Sequence, residues 1–467
     1  MADLAVQRTT TSSSASQTGC ASTTSAASAS ATASKCAITT RNKTKSIKNR
    51  VQQTASATAT SSASASASSS SSAAAASPST SSVPEFYVGA NSYFLHALPA
   101  DSRHEVLDAM VDANMKVLRI FISYTYANNK GSGSTEMPDL ESKEVGNYDD
   151  TILEAIDQLM VECKERGLKL MIALHDRYSL GFWSIDAYAT EFGVVNADAT
   201  GSPKQSDASA FYMPNPPKIA FDKRIDHILA HQNKLMDNRK WSELDDVIYA
   251  FEPENEPMGH MDYVDTWICD RAGRIKENLP SGSGILVSNG GGIDLEKSLN
   301  EWAQWTCDAV DIVSAHDYGT IVENSISALQ AGMDKANQNG KKLVFGEYGA
   351  SGSSKAAIIT DFVNALNDAQ IPHMIWELLK PGAGEHDYEI WTDEPSWKAF
   401  VPDSSSKRML KRTLSSSRTH SKRSPLAQPR NLQQRQIGQP QNATETLIGH
   451  TGDVLRARSM AEFAKLY

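Results

Sequence analysis

Short apolar runs in the middle of this 467-residue chain repeatedly end in side chains that can move protons or hold charge. One run carries Arg119. Another ends in His175-Asp176-Arg177. A third leads into Glu252, Glu254, Asn255 and Glu256. Later runs end in His316-Asp317-Tyr318, in Glu347-Tyr348 and in Trp376-Glu377. One charged residue after a strand is ordinary, because loops begin there. Six such endings are harder to assign to structure alone, since desolvating them together is costly unless they pair and hydrogen-bond. The purely structural alternative is an ion-paired rim, with Arg119 against Glu347. Chemistry points elsewhere. Two carboxyls across a sugar suffice for glycoside hydrolysis, one protonated for the leaving oxygen and one ionised to attack or to activate water. Glu256 and Glu347 suit those roles. Arg119 beside Glu347 would hold it anionic. Crowding near Glu256, with repulsion from Glu347, would raise the Glu256 pKa.

Such residues work together only if the fold gathers them. Apolar or β-branched runs at 86–91, 116–122, 168–174, 246–251, 285–288, 311–315, 342–345 and 372–376 predict eight strands. Amphipathic stretches at 102–114, 148–166, 220–236, 263–278, 323–338 and 355–369 predict helices between them. This alternation predicts a (β/α)8 TIM barrel, whose C-terminal strand ends form one active face. A doubly wound sheet would usually show a Gly-rich phosphate loop after its first strand, and here that strand is followed by Ser92-Tyr93-Phe94. The long connections 124–147 and 176–217 read as walls of a groove. Phe182, Trp183, Tyr188, Trp391 and Tyr93 are candidate sugar platforms, with packing under a loop as the alternative. By the strand period of two, Glu254 is a barrel-interior carboxylate for Arg119 or His175.

Asn255-Glu256-Pro257 after one strand and Phe345-Gly346-Glu347-Tyr348 after a later one resemble glycoside hydrolase family 5, the retaining barrel glycosidases that include cellulases and mannanases. The resemblance covers about 85–402. It is carried by an ordered set: Arg119, His175, Asn255, Glu256, His316, Tyr318, Glu347 and Trp376. It implies Glu256 as general acid/base and Glu347 as nucleophile. Asn255 would bind the substrate 2-hydroxyl, and Arg119 and Tyr318 would orient Glu347. His316 would sit against Glu256, His175 would line the sugar site, and Trp376 would be its stacking floor. No metal or organic cofactor is implied. The segments GANSYF, LHDRYSLGFW and FGEYGA look more like the fungal endo-β-1,4-mannanase branch than like cellulases. A β-linked polysaccharide or oligosaccharide is the implied partner. Endo-β-glucanase and cell-wall transglycosylase activity stay open on the same site. A catalytically idle carbohydrate-binding wall protein is the alternative of another class, though it would tolerate losing either carboxylate.

The flanks are different in kind. Hydrophobic residues are 40% and charged residues 21%, low enough to suggest unfolded segments. Residues 1–84 hold one acid against seven Lys/Arg and read as a disordered Ser/Ala/Thr-rich arm. Residues 403–467 hold four acids against twelve Lys/Arg and read as a disordered basic tail. The total of −10 therefore leaves −24 for the 85–402 catalytic domain, a poor surface for nucleic acid. No run is long enough to span a membrane, and a monomer is expected. The opening MADLAVQRTT shows no signal peptide, yet such a stalk is typical of exported enzymes. An extracellular or cell-wall location is expected, with an intracellular one left open. Cys269 and Cys307 either pair or remain buried thiols.

Overall fold

The computed structural model describes residues 83–194, 208–262, 264, 266–300, 303–380 and 387–401. The predicted arms, 1–82 of the first and all of 403–467, lie outside the described residues. Eight parallel strands appear in the predicted order. They are β1 (Val88–Asn91), β2 (Val117–Phe121), β3 (Lys169–Ala173), β4 (Ile248–Glu252), β5 (Leu286–Val287), β6 (Ile312–His316), β7 (Lys342–Tyr348) and β8 (His373–Ile375). Their hydrogen-bonded order is β5-β4-β3-β2-β1-β8-β7-β6. The circle closes between β5 and β6. There the Asp311 amide donates to the Val287 carbonyl (2.8 Å) and the Asn289 amide to the Ile312 carbonyl (3.2 Å). The fold is a (β/α)8 barrel.

The principal helices are α1 (Ala100–Asp112), α2 (Thr151–Glu165), α3 (Asn215–Ala230), α4 (Trp267–Asn278), α5 (Leu295–Leu299), α6 (Val322–Gln338) and α7 (Lys355–Asp368). Their apolar faces and the outward strand residues make one large core, from Val106 and Ile156 round to Phe362. The helix predicted over 220–236 differs at both ends. It starts earlier, because prolines occupy its first turn, where their missing N–H costs nothing. It stops at Ala230, because the chain turns into a hairpin pairing Gln232–Asn233 with Arg239–Lys240. Asp237 and Asn238 take left-handed φ values of 61° and 54° in that turn.

Inside the barrel, an apolar layer of Tyr87, Val117, Met171, Tyr249, Ile312, Val344 and Met374 fills the N-terminal end. Polar residues fill the other end. Two bulges set which side chains face inward. Leu170 pairs with Ile248 but Met171 with Ala250, so Tyr249 is extra and the even positions of β4 turn toward the axis. Ala315 pairs with Phe345 but His316 with Glu347, so Gly346 is extra and Glu347 faces His316. Only glycine fits there: a Cβ at 346 would overlap Ser314 Oγ.

Cys269 and Cys307 form a disulfide with their Cα atoms 5.8 Å apart, joining α4 to the segment before β6. Arg224 of α3 is fully buried. It donates to the carbonyls of Ile122 (3.1 Å) and Leu174 (2.9 Å) and to the carboxylates of Asp139 (3.0 Å) and Glu141 (3.1 Å). It thereby ties the loop after β2 to the exits of β2 and β3.

Candidate active site

Arg119 stands at the centre of the polar end. Period two on β2 turns it inward, and its neighbours occupy most of its donors. Nε donates to Glu252 (2.7 Å), Nη1 to Glu347 (2.5 Å) and Asn91 (3.1 Å), and Nη2 to Asn255 (2.8 Å). Asn91 extends the brace by donating to the carbonyls of Gly346 (2.9 Å) and Ile375 (3.2 Å). One guanidinium thus connects the ends of β1, β2, β4 and β7. A carboxylate pair around a fully buried cation satisfies the demand that buried charge be paired.

Glu347 receives the Arg119 bond on one oxygen and the Tyr318 hydroxyl on the other (2.8 Å). Burial lifts its pKa above the ordinary carboxylate range, and Arg119 and Tyr318 work against that lift. Glu256 has a different setting. Its Oε2 accepts from the Tyr178 hydroxyl (2.5 Å), and its Oε1 meets His316 Nδ1 (2.9 Å). Burial pushes its pKa up to about 7. The same cause pushes His316 down to about 4, so near neutral pH this imidazole is uncharged. Carboxylate oxygens of Glu256 and Glu347 and a ring nitrogen of His316 lie within 4.8 Å of one another. Such a trio could ligate a cation. Here each of the four carboxylate oxygens already faces a side-chain partner, and Arg119 supplies the positive charge.

Glu256 lies four residues beyond β4, on a backbone with φ of 44°. Its amide donates to the Gly290 carbonyl (3.0 Å). Gly290 has φ of 87°, and a Cβ there would overlap the Glu254 carbonyl oxygen. The glycines after β5 therefore let two backbones approach closely under Glu256.

Arg119, Asn255, His316 and Tyr318 all gather around the two carboxyls. Asn255 uses its oxygen for Arg119 and donates from Nδ2 to Asp176 (3.0 Å). His175 is held between two carboxylates. Its Nδ1 meets Glu254 (2.7 Å) and its Nε2 meets Asp186 (2.7 Å), so both nitrogens are engaged. Burial alone would lower its pKa, but the two carboxylates raise it to about 10. It is an imidazolium that anchors the loop after β3 to the β4 exit. Of the two partners open to Glu254, the structure selects His175, and Glu252 takes Arg119.

Trp376, the floor that the resemblance implies, is fully buried. Tyr93 stacks on it at 5.4 Å and 8°. Lys130 lies 5.9 Å over its ring and bonds Glu377 (2.5 Å) and Glu389 (2.8 Å). Trp183 is half-buried against Phe182, with centroids 4.4 Å apart, while Trp391 is buried in the core. Tyr188 packs on His175 and donates to Glu141 (2.7 Å). Sequence reasoning missed Tyr178, Asn91 and Lys130 as members of the site. Asn91 had a usable signal, as it shares the inward parity of Gly89 on β1. Tyr178 and Lys130 sit in loops, where no periodicity reveals direction.

Fold and site together define a class: a (β/α)8 barrel with paired carboxyls at its C-terminal mouth, the architecture of the barrel glycosidases. Residues 83–381 match the family model for cellulase (glycosyl hydrolase family 5). The chain belongs to glycosyl hydrolase family 5. It is 23% identical to mannan endo-1,4-beta-mannosidase 1 of Solanum lycopersicum over 343 residues, covering 65% of this chain and 82% of that protein. It is 26% identical to the rice (Oryza sativa subsp. japonica) mannan endo-1,4-beta-mannosidase 1 over 201 residues, covering 41% of this chain but only 43% of the rice protein's length. Among solved structures, the endo-1,4-beta-mannanase from Rhizomucor miehei superposes with a TM-score of 0.54 at 18% identity, covering 70% of this chain and 95% of the other. The endo-beta-1,4-mannanase from Thermotoga petrophila gives 0.51 at 20%, covering 68% and 75%. These two likenesses establish the fold.

Proposed function

We propose that this protein is a retaining β-glycoside hydrolase acting on a β-1,4-linked mannan by double displacement. The observation that carries the reading is the pair Glu256 and Glu347, with oxygens within 4.8 Å and unlike surroundings. A spacing of roughly 5–5.5 Å suits direct attack, whereas inverting enzymes leave a wider gap for water. Glu347, bonded to a guanidinium and a phenol, is the nucleophile. It attacks the anomeric carbon, the bond to the leaving oxygen breaks, and Glu256 gives that oxygen its proton. Water then attacks the glycosyl-enzyme, Glu256 takes the proton back, and Glu347 is released. A Glu256 pKa near 7 suits a group that must be acid and then base. Asn255 precedes Glu256 and shares Arg119 with Glu347, and a hydrogen bond from it to the 2-hydroxyl would strengthen in the transition state.

The family match and the named mannan endo-1,4-beta-mannosidase relatives support mannan as substrate. The Cys269–Cys307 disulfide supports an oxidising, extracellular setting. No helix among the described residues is long and apolar enough to cross a membrane. The test is reducing-sugar release by the purified protein from mannan, carboxymethyl cellulose and β-1,3-glucan. Release from mannan with retention of the anomeric configuration is expected. Preference for a glucan would overturn the substrate, and inversion would overturn the mechanism.

A further inference from the structure

We propose that Tyr178 is a positioning residue that sets the acidity of Glu256, and that His260 holds its phenol in place. The inference rests on Glu256 being the acid/base. Tyr178 is fully buried in the 3-10 turn Arg177–Ser179 after β3. Its hydroxyl donates to Glu256 Oε2 at 2.5 Å and lies 3.4 Å from His260 Nε2. The turn is coupled to the β4 exit. Asp176 Oδ1 accepts both from the Tyr178 amide (3.3 Å) and from Asn255 Nδ2 (3.0 Å). On the other side the backbone is unusual. Glu256, Met258 and His260 have left-handed φ of 44°, 60° and 62°, three non-glycine residues within five positions. Such conformations are uncommon and cluster at functional sites. This path brings residues 256 and 260 back to the same phenol. Phe182 stacks on His260 at 5.6 Å and 10°, and Tyr178 meets Phe182 edge-on at 5.1 Å.

The phenol remains a donor, because burial and the neighbouring Glu256 push its pKa well up. A donor aimed at a carboxylate favours the ionised form. Tyr178 therefore opposes the lift that burial gives Glu256 and returns its acidity toward the working range. The other charged or titratable groups facing Glu256 are Arg119 from β2, Arg177 after β3, Asp294 after β5, His316 from β6 and Glu347 from β7. All are common to the parent and a Tyr178 variant.

The experiment compares pH profiles of kcat/KM for the full-length protein and Tyr178→Phe, on mannohexaose and on dinitrophenyl β-mannobioside. On mannohexaose the alkaline limb of the variant should move up by roughly one pH unit, while its acid limb stays. The activated glycoside, whose leaving group needs no proton, should show little of that shift. His260→Ala should move the alkaline limb in the same direction by less. Fluorinated tyrosine placed at 178, a stronger donor that preserves packing, should move it down. A Tyr178→Phe enzyme that loses rate equally at every pH on both substrates would overturn the proposal. So would a fluorinated protein with an unmoved limb, should Tyr178→Phe fail to fold. If the parent itself shows the same alkaline limb on both substrates, the acid role of Glu256 fails instead, and with it the underlying reading.

Discussion

The exits of β4 and β7 present the same side chain in two chemical settings. At β7 a bulge turns Glu347 toward the axis, where Arg119 and Tyr318 bond its two oxygens. At β4 the chain leaves the strand and takes left-handed turns, and Glu256 meets a phenol and a neutral imidazole. Both carboxyls are buried to within 1%. Burial alone would lift both alike, so burial cannot separate their roles. Separation comes from the bonded partner: a permanent cation at one exit, neutral groups at the other. The difference teaches that two glutamates a few ångströms apart can be given unlike chemical settings by the strands flanking them. Arg119 reaches Glu347 because β2 places it near the axis, and the extra residue in β7 brings Glu347 to meet it.

The largest test of this contrast removes the proposed nucleophile. Glu347→Ala should lower kcat by roughly 10⁴-fold or more, while binding of mannohexaose persists by calorimetry. Retained turnover would reassign β7. Glu256→Ala should cost roughly 10²–10⁴-fold on mannan and far less on dinitrophenyl β-mannobioside. Equal losses on the two would remove the acid from β4. In the parent enzyme, the sign follows from Glu256 sitting at about 7. The working acid is the protonated form, so kcat/KM on mannan should fall as pH rises through that value. Arg119→Met leaves Glu252 and Glu347 buried without their cation. About 3–5 kcal/mol of stability should go, read as a lower Tm by calorimetry, with activity lost alongside. An unchanged Tm would mean the brace is not structural. The smallest effect belongs to Tyr318→Phe. Loss of that donor should raise the Glu347 pKa and move the acid limb upward by roughly half a unit. A shifted alkaline limb instead would show that Tyr318 acts on the wrong carboxyl.

Much of this site is readable along the chain, because strands have a short period. Glu252, Glu254 and Glu256 alternate, Arg119 sits at an inward position of β2, and Glu347 follows an apolar run. Eight such runs separated by amphipathic stretches leave few alternatives to a barrel. Loops carry no comparable signal. Tyr178 follows β3 by a few residues, yet its aim depends on Asp176 and on the left-handed path of residues 256–260. The family resemblance implies His175 at the sugar site, and only the position of Asp186 eleven residues later shows its second nitrogen engaged. The resemblance implies Trp376 as a stacking floor, and only the fold shows Tyr93 and Lys130 reaching its ring from two different loops.

The amino-acid order alone determined the barrel and which charged side chains end its strands, since apolar runs alternating with amphipathic stretches mark where each strand stops. Tertiary structure decided the pairings. Glu252 joined Arg119, Glu254 joined His175, Cys269 found Cys307, and a phenol rather than a cation came to Glu256. Those choices depend on strand register and on two single-residue bulges. Each involves contacts between positions distant in sequence, where no local pattern distinguishes one carboxylate or thiol partner from another.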